Sequence, residues 1–229
     1  MRRDGVDPVV ASYAARAAQS HIGMARRLAL DEGVRNRRRE VLKVPGLLTS
    51  VGAAVLAAAE LVEVATEDAK AATTQRDAEE RAVLMRSLGA EGAGTLPPAV
   101  RAQVRQLEEN QKRRATRSLR DGLDRALVDL LSLYRDVLVT QLGTRSAGAD
   151  RSTVDLVNAD LRVDVDRLAG NGTPEDTVRR MDAVGVARER IAANVAPLLA
   201  VEALMVELLS PGIGERVDQA RAKVAAGPG

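Results

Sequence analysis

The amino-acid sequence predicts an all-α protein, and its composition and periodicity lead to that prediction. The 229 residues contain no tryptophan and no phenylalanine, and tyrosine occurs only as Tyr13 and Tyr134. Alanine, leucine and valine supply the hydrophobic residues instead, and alanine, leucine, arginine and glutamate all favour helices. A core without aromatic rings is typical of aliphatic ridges between helices, and a chain of this length can bury such a core.

The first three helices are predicted from capping residues. Asp7 is an N-cap followed by Pro8 at the first helical position, so the first helix runs from 8 to about 18. Ser20 is predicted to cap the second helix, which ends at Gly33. The third helix, VRNRRREVLKV, is expected to stop before Pro45.

Two long helices are predicted next. The first begins at Leu47 and continues for about 40 residues, and its apolar face consists of Leu48, Val51, Val55, Leu56 and Val62. Pro98 opens the second, which reaches about Leu142. Apolar residues recur in its second half at steps of three and four, namely Leu119, Leu123, Leu127, Leu130, Tyr134, Leu138 and Leu142.

The polar halves of these two helices abut the same loop, GAEGAGTLPP. We therefore expect an antiparallel helical hairpin at about 66–118, projecting from a body made by the apolar halves. The basic run KRR at 112–114 is expected to lie on a solvated face, with Glu108 and Glu109 nearby for i,i+4 pairing. We infer no DNA binding from this run.

Three further segments complete the chain. A helix is predicted over about 152–169, and Thr173 caps another over about 174–194. The last helix, APLLAVEALMVELL, is apolar on nearly all sides, so it is expected at the centre of the bundle or at an interface. The tail at 211–229 is predicted to be flexible.

Charge and residue types limit the functions that can be expected. The net charge of +2 provides no overall field to attract nucleic acid or anionic lipid. The absence of cysteine excludes disulfides, thiol catalysis and cysteine-bound zinc, and a single histidine argues against a histidine metal site. We expect no metal and no cofactor. A cysteine-free chain fits a reducing cytoplasm, where we expect the protein to reside.

Neither the start of the chain nor its most apolar run indicates a membrane protein. MRRDGVDP leads directly into a helix, so no signal peptide is expected. The run at 44–65 is rich in alanine, contains Glu60 and Glu63, and continues into EDAKAATTQRDAEER. This composition favours a buried helix of a bundle over a membrane span.

The sequence predicts no catalytic residue. It has no G-x-x-x-x-G-K-[ST], G-x-G-x-x-G, H-E-x-x-H or G-x-S-x-G motif. Its carboxylates alternate with arginines along helices, which is the spacing of surface pairs and not of an isolated acid-base pair. His21 has no recognisable nucleophile or orienting carboxylate near it in sequence, so we do not expect it to act as a base.

Four segments occur in the order found in a known family. They are AARAAQSHIGMARRLAL, EDAKAATTQRDAEE with ENQKRRATR, LLSLYRDVLVTQLG, and IAANVAPLLAVEALMVEL. The first resembles the last part of the lid domain in clamp-loader ATPases of the AAA+ class. Together they resemble the delta-prime subunit family of bacterial DNA polymerase III, in its high-GC actinobacterial form, over residues 1 to about 210.

The resemblance implies a division of the chain and a function. Residues 1–43 would be the C-terminal part of the lid, 44–210 the helical collar through which clamp-loader subunits assemble, and 211–229 a tail. Because Met1 would fall inside the lid, we expect a fragment, a truncated gene model or a late start.

The expected function is that of a non-hydrolysing subunit. It would assemble with the delta and gamma/tau subunits into a hetero-pentamer that places the sliding clamp on primed DNA. The polymerase activity of the whole holoenzyme is not expected of this chain, because nucleotidyl transfer needs a carboxylate-bound metal pair.

The resemblance also assigns a role to the lid helix. In hydrolysing relatives this helix begins G-S-x-R, and the arginine (sensor 2) reaches the nucleotide phosphates. Alignment of the helix starts places Gly23 at the arginine position, and glycine has no charge to offer a phosphate. Arg26 and Arg27 lie about one turn further and would substitute only if the lid were rotated. We therefore expect residues 14–33 to form a hinge between packed helices, without an active site.

The terminal helix and the leucine-rich face are expected to divide between the core and contacts with sister subunits. The interface candidates are Leu198, Leu199, Leu204, Met205, Leu208, Tyr134 and Leu138. Such an obligate interface should be large and apolar. An alternative is a helical adaptor or coiled-coil scaffold without a role in replication, which the charged hairpin favours. An independent ATPase is disfavoured by the missing phosphate loop and by Gly23.

Overall fold

The computed structural model describes residues 5–91, 96–145 and 155–209, and confirms the all-α prediction for them. Eight α-helices and a 3₁₀ turn occur in these ranges, and no strand does. The helices are α1 (Pro8–Ala17), α2 (Ile22–Leu30), α3 (Glu32–Leu47), α4 (Val51–Ser87), α5 (Pro98–Arg145), α6 (Arg162–Gly170), α7 (Pro174–Ala192) and α8 (Pro197–Glu207). The predicted tail at 211–229 lies outside the described residues.

The chain folds into two compact units. Met1–Ala59 and Ala126–Gly229 make the first unit, and Glu60–Arg125 makes the second. Because the boundaries fall inside α4 and α5, each long helix contributes residues to both units. No helix in the described part of the chain combines the length and the apolar character that a membrane span requires.

Helices α1, α2 and α3 share a core built from small side chains. The buried members are Ala14, Ala17, Ala18, Ala25, Leu28 and Ala29. The predicted start of α1 is confirmed, because Asp7 Oδ1 accepts hydrogen bonds from the backbone N–H groups of Val9 at 2.7 Å and Val10 at 3.3 Å. Alanine at these positions lets the helix backbones approach closely.

The predicted cap of α2 and the predicted ends of α2 and α3 are wrong. Helix α2 is capped by His21 instead of Ser20, and it ends at Leu30 before Gly33. The reason is Asp31, whose Oδ1 accepts from the N–H of Val34 at 3.1 Å and so starts α3 early. Helix α3 then continues through Pro45, because a proline in the last turn removes only one backbone hydrogen bond.

Helix α4 begins four residues later than predicted, at Val51, and only part of the predicted apolar face is buried. Ser50 Oγ accepts from the N–H of Ala53 at 3.1 Å at this start. The buried residues in the first half are Ala54, Ala58 and Leu61, with Leu48 just before the helix. Of the predicted apolar face, Leu48 is buried and Val62 is half-buried, whereas Val51, Val55 and Leu56 are exposed.

The leucine-rich face of α5 is buried, largely as predicted. Leu123, Leu127, Leu130 and Tyr134 are buried, whereas Leu142 is exposed at the end of the face. A core cluster joins this face to α3 and to the chain after 155, and its members are Leu42, Leu133, Val137, Leu156, Leu161 and Val165. Gln141 extends the contact, because its Nε2 donates to the carbonyls of Ala169 at 3.2 Å and Gly172 at 2.9 Å.

The helix predicted over 152–169 starts later, and the one after it starts as predicted. A 3₁₀ turn at Ala159–Leu161 leads into α6, and residues 152–154 lie outside the described part. Helix α7 begins with the predicted cap: Thr173 Oγ1 accepts from Asp176 N at 3.2 Å, and Asp176 Oδ2 accepts from Thr173 N at 3.0 Å. Helix α8 buries Ala200, Val201, Leu204 and Met205.

The second unit is held together by polar contacts between α4 and α5. Arg114 Nη2 donates to Asp77 Oδ1 at 2.8 Å and also binds Glu80. Arg81 pairs with Glu108. Later positions in α4 thus contact earlier positions in α5, so the two helices run antiparallel within this unit. The predicted i,i+4 pairing of Glu108 with the KRR run is wrong, because Glu108 and Arg114 both bind α4.

Candidate functional site

The stretch between α1 and α2 is a left-handed turn. Gln19 and Ser20 have φ values of +44° and +72°, which residues other than glycine seldom adopt. His21 follows in extended conformation, and its Nδ1 accepts from the N–H of Met24 at 3.1 Å. The single histidine of the chain therefore serves as a helix cap at this turn.

The residues considered for a sensor-2 position, Gly23, Arg26 and Arg27, are exposed on α2. Gly23 is in the first turn, and a Cβ added there would lie 3.4 Å from Cε1 of His21. Arg26 and Arg27 are exposed, whereas the buried side of the helix consists of Ala25, Leu28 and Ala29. Among the described residues, no group of three or more acidic, histidine or cysteine side chains is placed to hold a metal ion.

The buried polar centre of the first unit is Arg38, which is 5% exposed. Its Nε donates to Asp129 Oδ1 at 2.7 Å, and its Nη2 donates to Asn158 Oδ1 at 2.6 Å and Ser132 Oγ at 3.4 Å. Its Nη1 donates to the hydroxyl of Tyr13 at 3.1 Å. One guanidinium thereby connects α1, α3, α5 and the segment before the 3₁₀ turn.

A buried carboxylate completes this network. Asp136 is fully buried in α5, and its Oδ2 accepts from the backbone N–H of Asn158 at 2.7 Å and from its side-chain Nδ2 at 2.9 Å. Its Oδ1 accepts from Val157 N at 3.1 Å and from Arg135 Nη1 at 2.8 Å. These bonds use the N–H groups of residues 157 and 158. They explain why this segment is not helical, although a helix had been predicted over it.

The electrostatics of Arg38 fit a permanent structural cation. Burial by itself would lower its pKa, but the carboxylate of Asp129 and the hydroxyl of Tyr13 outweigh burial and raise the pKa above its ordinary value. The guanidinium carbon also lies 5.7 Å from the centre of the Tyr13 ring, within cation–π range. Because its donors are used within the fold, we interpret the network as a junction that positions helices.

The interface candidates divide into core and surface residues. Leu204, Met205, Leu208 and Tyr134 are buried within the chain, and burial raises the pKa of the Tyr134 hydroxyl far above its ordinary range. Leu138 is half-buried. Two residues remain on the surface, in the first turn of α8: Leu198 is 40% exposed and Leu199 is 62% exposed. A partner surface can therefore draw on the beginning of α8 but not on its buried row.

A second group of exposed apolar side chains lies where α3 ends and α4 begins. Leu47 and Leu56 are 66% and 72% exposed, and Val51 and Val55 are 42% and 40% exposed. We call Leu47, Val51, Val55 and Leu56 the apolar segment. Four exposed aliphatic residues within ten positions differ from the isolated exposed leucines that any surface carries.

The sequence interpretation missed the polar network, although a signal for it exists. Val34, Arg38 and Leu42 follow each other at i,i+4, so Arg38 occupies the apolar row of α3. Asp136 lies likewise among the buried residues Leu133, Tyr134 and Val137. A charged residue inside an apolar row indicates a buried, paired charge.

Comparison with known proteins identifies no relative of this chain: no family model, no curated protein and no solved structure matches it.

Proposed function

We propose that the chain acts by assembly, as a non-hydrolysing subunit of the bacterial DNA polymerase III clamp loader. In this proposal it joins the delta and gamma/tau subunits in a hetero-pentamer in the cytoplasm, and the complex places the sliding clamp on primed DNA. The four sequence segments that resemble the delta-prime family support the identity. The exposed apolar surface of the first unit supports assembly as the mode of action.

The observation that carries the proposal is the apolar segment. The first unit already has complete cores of its own, around Leu28 and around Leu133. Leu47 and Leu56 nevertheless remain mostly exposed. Exposed clusters of large aliphatic residues are typical of protein–protein contact surfaces, and obligate interfaces are the most apolar of them.

The family's architecture belongs to the same proposal. Residues 1–43 would be the end of the lid, 44–210 the collar, and 66–118 a hairpin of the collar. The lid would be inactive toward nucleotide, since Gly23 stands where hydrolysing relatives carry an arginine. The left-handed turn at Gln19 and Ser20 would be the fixed joint between the last lid helices.

Co-purification tests the assembly. The full chain is mixed with purified delta and gamma/tau subunits, and the complex is measured by size-exclusion chromatography with light scattering. We expect a stoichiometric complex. Replacement of both Leu47 and Leu56 by glutamate should abolish it, because two charges cannot be buried at an apolar interface without partners.

The matched control is Val163→Glu, at a valine of α6 that is 81% exposed and outside the apolar segment. We expect this variant to assemble normally. A wild-type chain that ignores the clamp-loader subunits would contradict the proposal and favour the helical adaptor. A titration that shows micromolar ATP affinity would favour an independent ATPase instead.

A further inference from the structure

The basic residues of the second unit fall into two groups that differ in their pairing. All four basic side chains of α4 have an acidic partner. They are Lys70 with Glu67, Arg76 with Glu80, Arg81 with Glu108, and Arg86 with Glu91. The positive charges of α4 are therefore neutralised locally.

Most basic side chains of α5 within the second unit, unlike those of α4, have no acidic partner in the described part of the chain. Of these basic residues of α5, Arg114 is turned to α4, where it binds Asp77 and Glu80. Six others are exposed and form no ion pair with any described residue. One of them, Arg125, lies at about 320° around the helix from Gln111, on the side that bonds α4. We call the remaining five the basic face: Arg101, Arg105, Lys112, Arg113 and Arg117.

The basic face is turned away from α4. Gln111 and Arg114 mark the side of α5 that bonds α4, through Asp77 and Glu80. At about 100° per residue, the five basic positions lie between roughly 80° and 240° around the helix from Gln111. Glu109 is the acidic residue within this arc, so the face keeps a surplus of positive charge.

The spacing of the basic face suits a regular polyanion. At a rise of about 1.5 Å per residue, the row from Arg101 to Arg117 spans about 24 Å. Duplex DNA presents a phosphate on each strand about every 3.4 Å, so the row can follow the backbone over about seven base pairs. Four of the five residues are arginines, whose guanidinium groups match phosphate geometry.

Other anionic partners fit less well. The second unit contains no aromatic residue, which removes the stacking surfaces that single-stranded nucleic acid uses. A membrane-surface helix needs an apolar face beside its basic one, but the opposite side of α5 bonds α4.

We propose that the basic face of α5 binds the sugar-phosphate backbone of duplex DNA without reading its sequence. Arginine and lysine would contact phosphates and displace counterions. The inference does not depend on the proposed function, because it requires only this chain. Binding to DNA and assembly with clamp-loader subunits are measured separately, so that either can fail alone.

The test is a fluorescence-anisotropy titration of the full chain with a labelled 20-base-pair duplex, repeated at several salt concentrations. Five phosphate contacts predict a slope of about −4.5 in log K against log salt, or a loss of about 500-fold in affinity between 50 and 200 mM. A single strand of the same length should bind more weakly and with a smaller slope.

Two triple variants with the same net charge separate the basic face from general charge. R105Q/R113Q/R117Q removes three unpaired arginines, and K70Q/R76Q/R86Q removes three paired residues of α4. The first should reduce the slope by about 2.7 and the affinity at 50 mM salt by about a hundredfold or more. The second should stay within about twofold of wild type, because its charges are already neutralised by Glu67, Glu80 and Glu91. Circular dichroism verifies that both variants remain helical.

Three results would overturn the inference. The first is an absence of duplex binding by wild type at 50 mM salt. The second is an equal loss in both triple variants, which would indicate only net charge. The third is tighter binding to poly-glutamate or to vesicles of anionic lipid than to duplex DNA, with the same sensitivity to R105Q/R113Q/R117Q, which would assign the face to an acidic protein or to a membrane.

Discussion

Arg38 shows at the scale of one residue how a polar side chain selects the contacts of several helices. Its apolar neighbours at i,i+4, Val34 and Leu42, would pack against many aliphatic surfaces. The guanidinium requires specific acceptors, and it finds them in Asp129, Asn158 and the hydroxyl of Tyr13. The arrangement of α1, α3 and α5 in the first unit therefore depends on directional bonds as well as on apolar burial.

Replacement of Arg38 should be strongly destabilising. Arg38→Met keeps the side-chain volume but removes the hydrogen bonds that Arg38 donates to the buried Asn158 and to the carboxylate of Asp129, which should lower the free energy of unfolding by about 3 kcal/mol or more. Urea denaturation measures the loss. The neighbouring Arg39 is exposed, so Arg39→Met should change stability by less than about 0.5 kcal/mol. Similar effects of both substitutions would contradict the structural role of the network.

His21 allows a test of helix capping by an unusual residue. Its Nδ1 accepts from Met24 N at the start of α2. His21→Ala should lower the free energy of unfolding by about 1 kcal/mol, and His21→Asn should restore it because asparagine is a preferred N-cap. Thermal unfolding compares the three proteins. Equal stability of the alanine and asparagine variants would show that the cap contributes nothing.

At the scale of the element, capping residues decide where helices begin more reliably than breakers decide where they end. Asp7, Asp31 and Thr173 each bond a backbone N–H in the first turn of the helix that follows. Gly33 and Pro45 were expected to end helices, and α3 continues through both. A cap supplies a specific hydrogen bond, whereas the cost of one glycine or proline near a helix end is small enough for packing to outweigh it.

The capping box of α7 predicts a dependence of stability on pH. The hydrogen bond from the backbone of Thr173 is the largest influence on Asp176 and lowers the pKa of its carboxyl below the ordinary value of 3.8. Because the folded pKa is the lower one, the ionised carboxylate stabilises the fold fully above the ordinary value. This contribution is lost as pH falls through the folded value.

Chemical denaturation between pH 2.5 and 6 measures this contribution. Wild type should exceed Asp176→Asn in stability at pH 6, and the difference should shrink as the pH falls below about 4. Asp160→Asn, at a carboxyl with no capping contact in the described structure, is the control for the loss of one carboxylate. A difference between wild type and Asp176→Asn that is constant with pH would refute the assignment.

At the scale of the whole molecule, the two units have different sources of stability. The first contains both aliphatic cores and the polar network. The second has five buried apolar residues among those described, namely Leu61, Ala69, Ala90, Val104 and Leu123. Its helices are connected by exposed or half-buried ion pairs, which contribute little each and weaken with salt.

Hydrogen exchange should therefore separate the two units. Amides of α4 and α5 between residues 66 and 118 should exchange faster than amides of α5 between 126 and 142. This difference is expected even within α5, which contributes residues to both segments. Mass spectrometry of deuterium uptake resolves the difference. Higher salt should accelerate exchange in the second unit only. Uniform protection along α5 would contradict this division.

The sequence by itself determined the helical class, the starts of α1, α5 and α7, and the buried leucine face of α5. These features depend on local bonds and on a spacing of three and four residues, which are visible in a single chain. Only the tertiary structure decided which faces of α4 and α8 are buried. On these helices apolar residues occur nearly all round, so the pattern does not distinguish Ala54 from Leu56, or Leu204 from Leu199.

Tertiary structure also decided the pairing of charges. Glu108 is bound to Arg81 instead of to a basic residue one turn away, and Arg38 is paired with Asp129 across 91 positions of sequence. Several partners of opposite charge lie within reach of each such residue in the sequence. The choice among them depends on which helices meet in space, because the attraction between two charges depends on their separation in space and not on their separation in sequence.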